Sequence, residues 1–160
     1  MGDPISVGLG ESVVSKKDGD VLVAYGLGSC VAVSMYDPQE KVCGLLHAVL
    51  PEDSIGSDTK TKYVDTGIEE LLKSMEKAGA HRNHLIVRIA GGANMITSPG
   101  FSKSFDIGTR NIQAAHKTLE KLMLPLKSES VGGHMGRTVR FFVGSGQLTV
   151  RMIGGEEENL

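Results

Sequence analysis

Two nearly continuous apolar runs of strand length, Val21–Tyr25 and Val31–Tyr36, flank the glycine-rich stretch Gly26-Leu27-Gly28-Ser29-Cys30. A third run, Lys41–Val49, follows the turn signal Asp37-Pro38. Runs this short, bounded by Gly and Pro and rich in β-branched residues, predict buried strands. The second and third predict an antiparallel hairpin, at whose open end residues distant in sequence face each other. Cys30 and His47 both fall at that end.

A thiol and an imidazole on neighbouring strands can form a nucleophile. A free cysteine is only a few per cent thiolate at neutral pH, and an imidazole that takes its proton raises that fraction. The same imidazole can then protonate a departing amine. Gly26 and Gly28, on either side of Leu27, let backbone approach backbone and leave N–H groups free to point at an oxyanion. Gly28 and Ser29 are therefore candidates for the oxyanion site or its pocket, and Gly91-Gly92, ending another apolar run at Leu85–Ala90, can bring backbone to the same centre or serve only to turn the chain. Cysteine is also among the most buried residue types, and a histidine in an apolar run often satisfies a core hydrogen bond. Spacing alone leaves both readings open.

Several further motifs stand in order along the chain. After Gly26-Leu-Gly-Ser-Cys-Val31 come Asp37-Pro38, Gly44 to His47, Leu50-Pro51, Lys62-Tyr63 with Asp65-Thr66, Ile89-Ala-Gly-Gly-Ala-Asn-Met95, Ile107-Gly108 with Arg110-Asn111, and Gly132-Gly133 with Arg137. Together they resemble the chemoreceptor glutamine deamidase family, CheD, from about Ile5 to Gly154. The resemblance implies a layered β-sandwich flanked by helices, an α/β (α+β) fold shared with other cysteine-histidine deamidases. It also implies hydrolysis of glutamine side chains on the cytoplasmic helical domain of chemotaxis receptors, giving glutamate and ammonia through a thioester, with Cys30 as nucleophile and His47 as its histidine. Some such proteins bind a CheC-type phosphatase, a possible second partner. The mechanism requires no metal or organic cofactor.

One departure accompanies the match. Where the family places a threonine that orients the histidine, six residues before the cysteine, this chain has Ala24. An alanine side chain cannot accept the imidazole N–H, so a backbone carbonyl there or nearby must do so, or the ring is held less firmly; the third member of a triad orients and need not react. This keeps two alternatives in play: a weakly active or inactive regulator that binds a CheC-type phosphatase, and a receptor glutamyl methylesterase using the same Cys30 and His47.

The chain's 160 residues suit a single domain, expected over 1–155, and 17 Lys and Arg against 19 Asp and Glu, scattered along the chain, leave no basic footprint for nucleic acid. Two cysteines make no disulfide framework, and no signal-peptide pattern or membrane-length apolar run occurs, so a soluble protein of the reducing cytoplasm is expected. Cys43, amid apolar neighbours, reads as a packed and inert thiol. Pro51–Lys60 reads as a loop beside the site, either shaping substrate entry or simply connecting elements. Helical periodicity follows in Val64, Ile68, Leu71, Leu72 and Met75, with a stop at Gly79. A second helix opens at Ile107–Asn111, with Thr109 as a candidate cap and Ile112, Ala115, Leu119 and Leu122 on its apolar face. Asn94–Asp106 reads as a loop, and His116 and His134 as a helix-boundary and a turn residue. Three late strands are expected over 126–131, 137–143 and 147–153, and residues 156–160 as a disordered acidic tail.

Overall fold

The structure, a computed structural model, describes residues 4–95 and 106–160. Among these are ten strands and two α-helices: β1 Pro4–Ser6, β2 Glu11–Ser15, β3 Val21–Leu27, β4 Val31–Asp37, β5 Val42–Ala48, α1 Val64–Lys77, β6 Ile86–Gly91, α2 Ile107–Lys121, β7 Leu126–Val131, β8 Arg137–Phe142, β9 Gln147–Met152 and β10 Glu157–Asn159. They form two five-stranded sheets, one ordered β1-β3-β8-β9-β10 and the other β2-β5-β4-β6-β7.

The sheets stack on each other, and both helices cover the outer face of the second. Alternation along β4 makes this three-layer arrangement visible. Val31, Val33 and Met35 pack with Ile68, Leu71, Met75, Ala115 and Leu119 of the helices, whereas Ala32 and Tyr36 pack between the sheets with Leu22, Ala24, Val139 and Phe141. Tyr36 and Phe141 meet edge-on across that inner core, with ring centroids 6.3 Å apart. Every residue of β4 and β5 is buried, which is why these runs are nearly continuously apolar rather than alternating.

The predicted hairpin is present: β4 and β5 pair antiparallel from Val31↔Ala48 to Asp37↔Val42. The Asp37 carboxylate closes its turn by accepting from the Gln39 and Glu40 N–H groups, and it also accepts from the His81 N–H. Burial pushes the Asp37 pKa up, but these donors and the nearby His84 together hold it below the usual value.

Several boundaries differ from expectation. β3 runs on through Gly26 to Leu27, with a register break against β8 between Ala24 and Leu27. β1 is short, because the chain leaves it at Ser6 and crosses to the other sheet. The second helix begins at Ile107 as expected, but Thr109 caps nothing: its hydroxyl accepts from Asn94 Nδ2. The acidic tail, expected to be disordered, instead adds β10 to the free edge of β9, with Leu160 N–H bonded to Leu148 O at 2.9 Å. An exposed strand edge offers unpaired backbone groups that a short polar segment can satisfy without burying any side chain. The anticipated loop at Asn94–Asp106 falls mostly outside the described residues.

Candidate active site

Cys30 sits where the chain leaves β3 in one sheet and enters β4 in the other. All three carbonyls of this crossing are held: Gly28 O accepts from Ala93 N–H at 2.8 Å, Ser29 O from Asn111 Nδ2 at 2.8 Å, and Cys30 O from Gly92 N–H at 2.8 Å. In a trans peptide the C=O and the following N–H lie on opposite edges, so pinning these oxygens turns the Ser29 and Cys30 N–H groups the other way. Neither donates to another residue among the described residues. These are the free donors that an oxyanion requires.

The Cys30 side chain is partly buried against the inter-sheet core. Burial pushes the thiol pKa up, and the residue's own N–H, which favours the thiolate, opposes that rise. A thiol of this kind reacts well only when a base takes its proton.

The register sets a histidine on the neighbouring strand. His47 stands opposite Ala32, and Val31 opposite Ala48, which sets Cys30 and His47 diagonally across the β4–β5 pair. By alternation His47 shares the inner face with Cys43 and Leu45, the face to which Cys30 also belongs. Diagonal neighbours on one face stand roughly 7–8 Å apart, and no hydrogen bond joins the imidazole to the thiol, His47 Nε2 having no partner among the described residues.

His47 is 3% exposed, and its Nδ1 lies 2.9 Å from Val7 O. A carbonyl only accepts, so Nδ1 carries the hydrogen and Nε2 of the neutral ring keeps a lone pair. Nε2 is buried without a hydrogen-bond partner among the described residues. The ring is therefore held as the tautomer that can take a proton at Nε2. Val7 itself is fixed by its N–H to Val23 O at 2.8 Å, and Gly10 N–H reaches His47 O at 2.8 Å.

The family model described as CheD chemotactic sensory transduction matches residues 49–152. Over 158 residues the chain is 40% identical to the probable chemoreceptor glutamine deamidase CheD of Symbiobacterium thermophilum, covering 97% of this chain and 96% of that protein. It is 41% identical over 152 residues to the chemoreceptor glutamine deamidase CheD of Thermotoga maritima, covering 95% and 94%. This chain belongs to the CheD family.

With the CheD assignment in hand, the remaining positions can be placed. Gly91 and Gly92 do meet the Cys30 crossing. A Cβ on Gly91, whose φ is +108°, would stand 2.2 Å from Cys30 O, and Gly92 donates to that oxygen. Ala24 lies in the inner core, 0% exposed, but the carbonyl at His47 Nδ1 belongs to Val7 and not to Ala24. The orienting role expected at or near position 24 thus moves to the backbone of a different strand end. Cys43 is fully buried, and burial pushes its thiol pKa up to about 12. His134 Nδ1 lies 2.8 Å from Asn94 O, and His116 Nε2 lies 2.6 Å from Glu129 Oε1, both as surface contacts. The loop after His47 lines a groove of about 510 Å³ with Pro51, Glu52 and Ser54 facing Arg110, Gln113 and Lys117; neither Cys30 nor His47 lines it. No group of three or more His, Cys, Asp or Glu side chains gathers at metal-binding distance among the described residues.

Three contributors carried no role in the sequence reading. Val7 offers only its carbonyl, a group every residue has, so nothing in the sequence could mark it. Asn111 is polar on the buried face of α2, beside Gly108, Ala115 and Leu119, and that break in an apolar stripe was a readable signal. Arg137 is buried and donates from Nη1 to Gly91 O at 3.3 Å, where Gly132 N–H also donates at 3.0 Å.

Proposed function

We propose that this protein deamidates glutamine side chains of chemotaxis receptors, with Cys30 as nucleophile and His47 as general base and acid. The observation that carries the reading is His47 held by Val7 O as the tautomer with Nε2 unprotonated, on the same sheet face as Cys30 and diagonal to it.

His47 Nε2 takes the Cys30 proton, and the sulfur attacks the carbonyl carbon of the glutamine amide. The C=O π pair moves to oxygen, and the Ser29 and Cys30 N–H groups receive that oxyanion. As the tetrahedral species collapses, the C–N bond breaks and the nitrogen leaves as ammonia with the proton from His47. A thioester to Cys30 remains. His47 then deprotonates a water, which attacks the thioester; the C–S bond breaks, the thiol recovers its proton and glutamate is released.

The relatives named above are called chemoreceptor glutamine deamidases, and the receptor is the macromolecular partner this reading requires. No described helix is long and apolar enough to cross a membrane. The receptor's cytoplasmic helical domain as the site of action, the cytoplasm as the compartment and a CheC-type phosphatase as a second partner belong to the same proposal.

The test is ammonia release from a purified receptor cytoplasmic fragment, with a glutamyl methyl ester of the same fragment in parallel. Wild type is expected to act on the amide, and Cys30→Ala and His47→Ala to lose at least about 100-fold in kcat. Ester hydrolysis without amide hydrolysis, or full activity in Cys30→Ala, overturns the reading.

A further inference from the structure

Asn111 makes two hydrogen bonds with one nitrogen. Nδ2 donates to Ser29 O at 2.8 Å and to Val49 O at 3.0 Å. Two donor hydrogens meeting two carbonyls fix the orientation of the amide, because turning it over would set Oδ1 against both oxygens. The side chain is 0% exposed and reaches these oxygens from α2, on the helix side of the sheet.

The two carbonyls are those that matter for the catalytic pair. Ser29 O is one edge of the Ser29–Cys30 peptide plane, whose other edge is the Cys30 N–H. Val49 follows Ala48, the partner of Val31, so it stands across the strand pair from Cys30 and two residues beyond His47. A single side chain thus ties the strand end that bears the cysteine to the strand end that bears the histidine.

We propose that Asn111 is a positioning residue of the deamidase: by clamping the Ser29 and Val49 carbonyls from behind, it aims the Cys30 N–H at the reacting sulfur and the oxyanion and fixes Cys30 against His47. The inference rests on Cys30 acting as the nucleophile. Asn111 touches neither substrate nor sulfur and acts through the peptide it holds. Small errors of placement at a reacting centre are costly, so the effect should fall on kcat.

The experiment uses the full chain as wild type, Asn111→Ala and Asn111→Asp, each held below its melting temperature. Two quantities are read: kcat and KM for ammonia release from the receptor fragment, and the pH dependence of iodoacetamide alkylation at Cys30, located by mass spectrometry. Expected are a fall in kcat of about 10-fold or more with KM within about 2-fold, and an alkylation midpoint shifted to higher pH. Asn111→Asp nearly preserves size but sets a carboxylate against two carbonyls, so it answers if the alanine variant does not fold. A folded variant with wild-type kcat and alkylation profile overturns the proposal. So does a variant that melts earlier but keeps both, since Asn111 would then only support packing. An active wild type with unaffected Asn111 variants removes this inference alone, whereas a wild type that releases no ammonia removes the deamidase reading and this inference with it.

Discussion

The two cysteines of this chain differ in the one respect that matters for reactivity, namely what surrounds the sulfur. Cys30 is partly exposed at the crossing between sheets, with its own N–H favouring the thiolate and His47 on a diagonal; Cys43 is enclosed in the inner core with Val143 O as its hydrogen-bond acceptor at 3.8 Å. Burial raises the Cys43 pKa to about 12, above that of a thiol in the unfolded chain. Between roughly pH 9 and 12 the folded protein therefore keeps a proton that the unfolded chain has released, and stability falls as pH rises through that window. This loss should reach roughly 2 kcal/mol by about pH 11, and Cys43→Ala should remove most of it. Urea unfolding of both proteins near pH 8 and pH 11 checks this; an equal alkaline loss in the two would show that other groups cause it. Cys30 alkylation, in contrast, should be fast and complete in the native protein while Cys43 stays unmodified.

At the scale of elements, the close meeting of β4 and β6 decides where Cys30 stands. Val31 pairs with Gly91 at the end of both strands, and the next peptide brings Gly92 N–H onto Cys30 O. An alanine at 91 must adopt φ +108° and also displace Cys30 O from 2.2 Å. Strain and overpacking together predict that Gly91→Ala costs about 3 kcal/mol or more and lowers kcat in whatever fraction folds. Thermal melting with activity per folded molecule measures both, and a stable, fully active variant would contradict the placement of Cys30. The strands that build this meeting were legible because β3, β4, β5 and β6 are buried and so read as short apolar runs between Gly and Pro signals. The helices were legible from their period, and the hairpin pairs antiparallel as expected, with Cys30 and His47 both at its open end. The unread parts share a physical cause. Val7 acts through a backbone carbonyl, and its approach to His47 depends on how β1 and β2 divide between sheets, which local pattern does not encode. The tail failed as a disorder expectation because its pairing is set by a vacant edge on β9, a property of the assembled sheet.

On the scale of the whole molecule, the site lies where the chain changes sheets. The step from β3 to β4 carries Gly28, Ser29 and Cys30; the step from β1 to β2 carries Val7 and ends with Gly10 bonded to His47 O; the step from β7 to β8 carries Gly132, bonded to Gly91 O, and Gly133, bonded to Asn94 N–H. Layering the sheets thus gathers three crossings at one end, one carrying Cys30, one holding His47 and one holding Gly91 and Asn94 beside them, while the helix layer adds Asn111 from the other side. Rigid strand ends, rather than a free loop, set the geometry, which suits a reaction in which thiol, imidazole and N–H donors must act in sequence on one carbonyl. The measurement that tests this account most directly is the intact mass of the protein in an acid-quenched turnover with the receptor fragment. The account predicts a species in which the fragment is joined to the protein with loss of ammonia, the link mapping to Cys30 and disappearing in Cys30→Ala. Deamidation that proceeds with no Cys30 adduct, and equally well in Cys30→Ala, would contradict it.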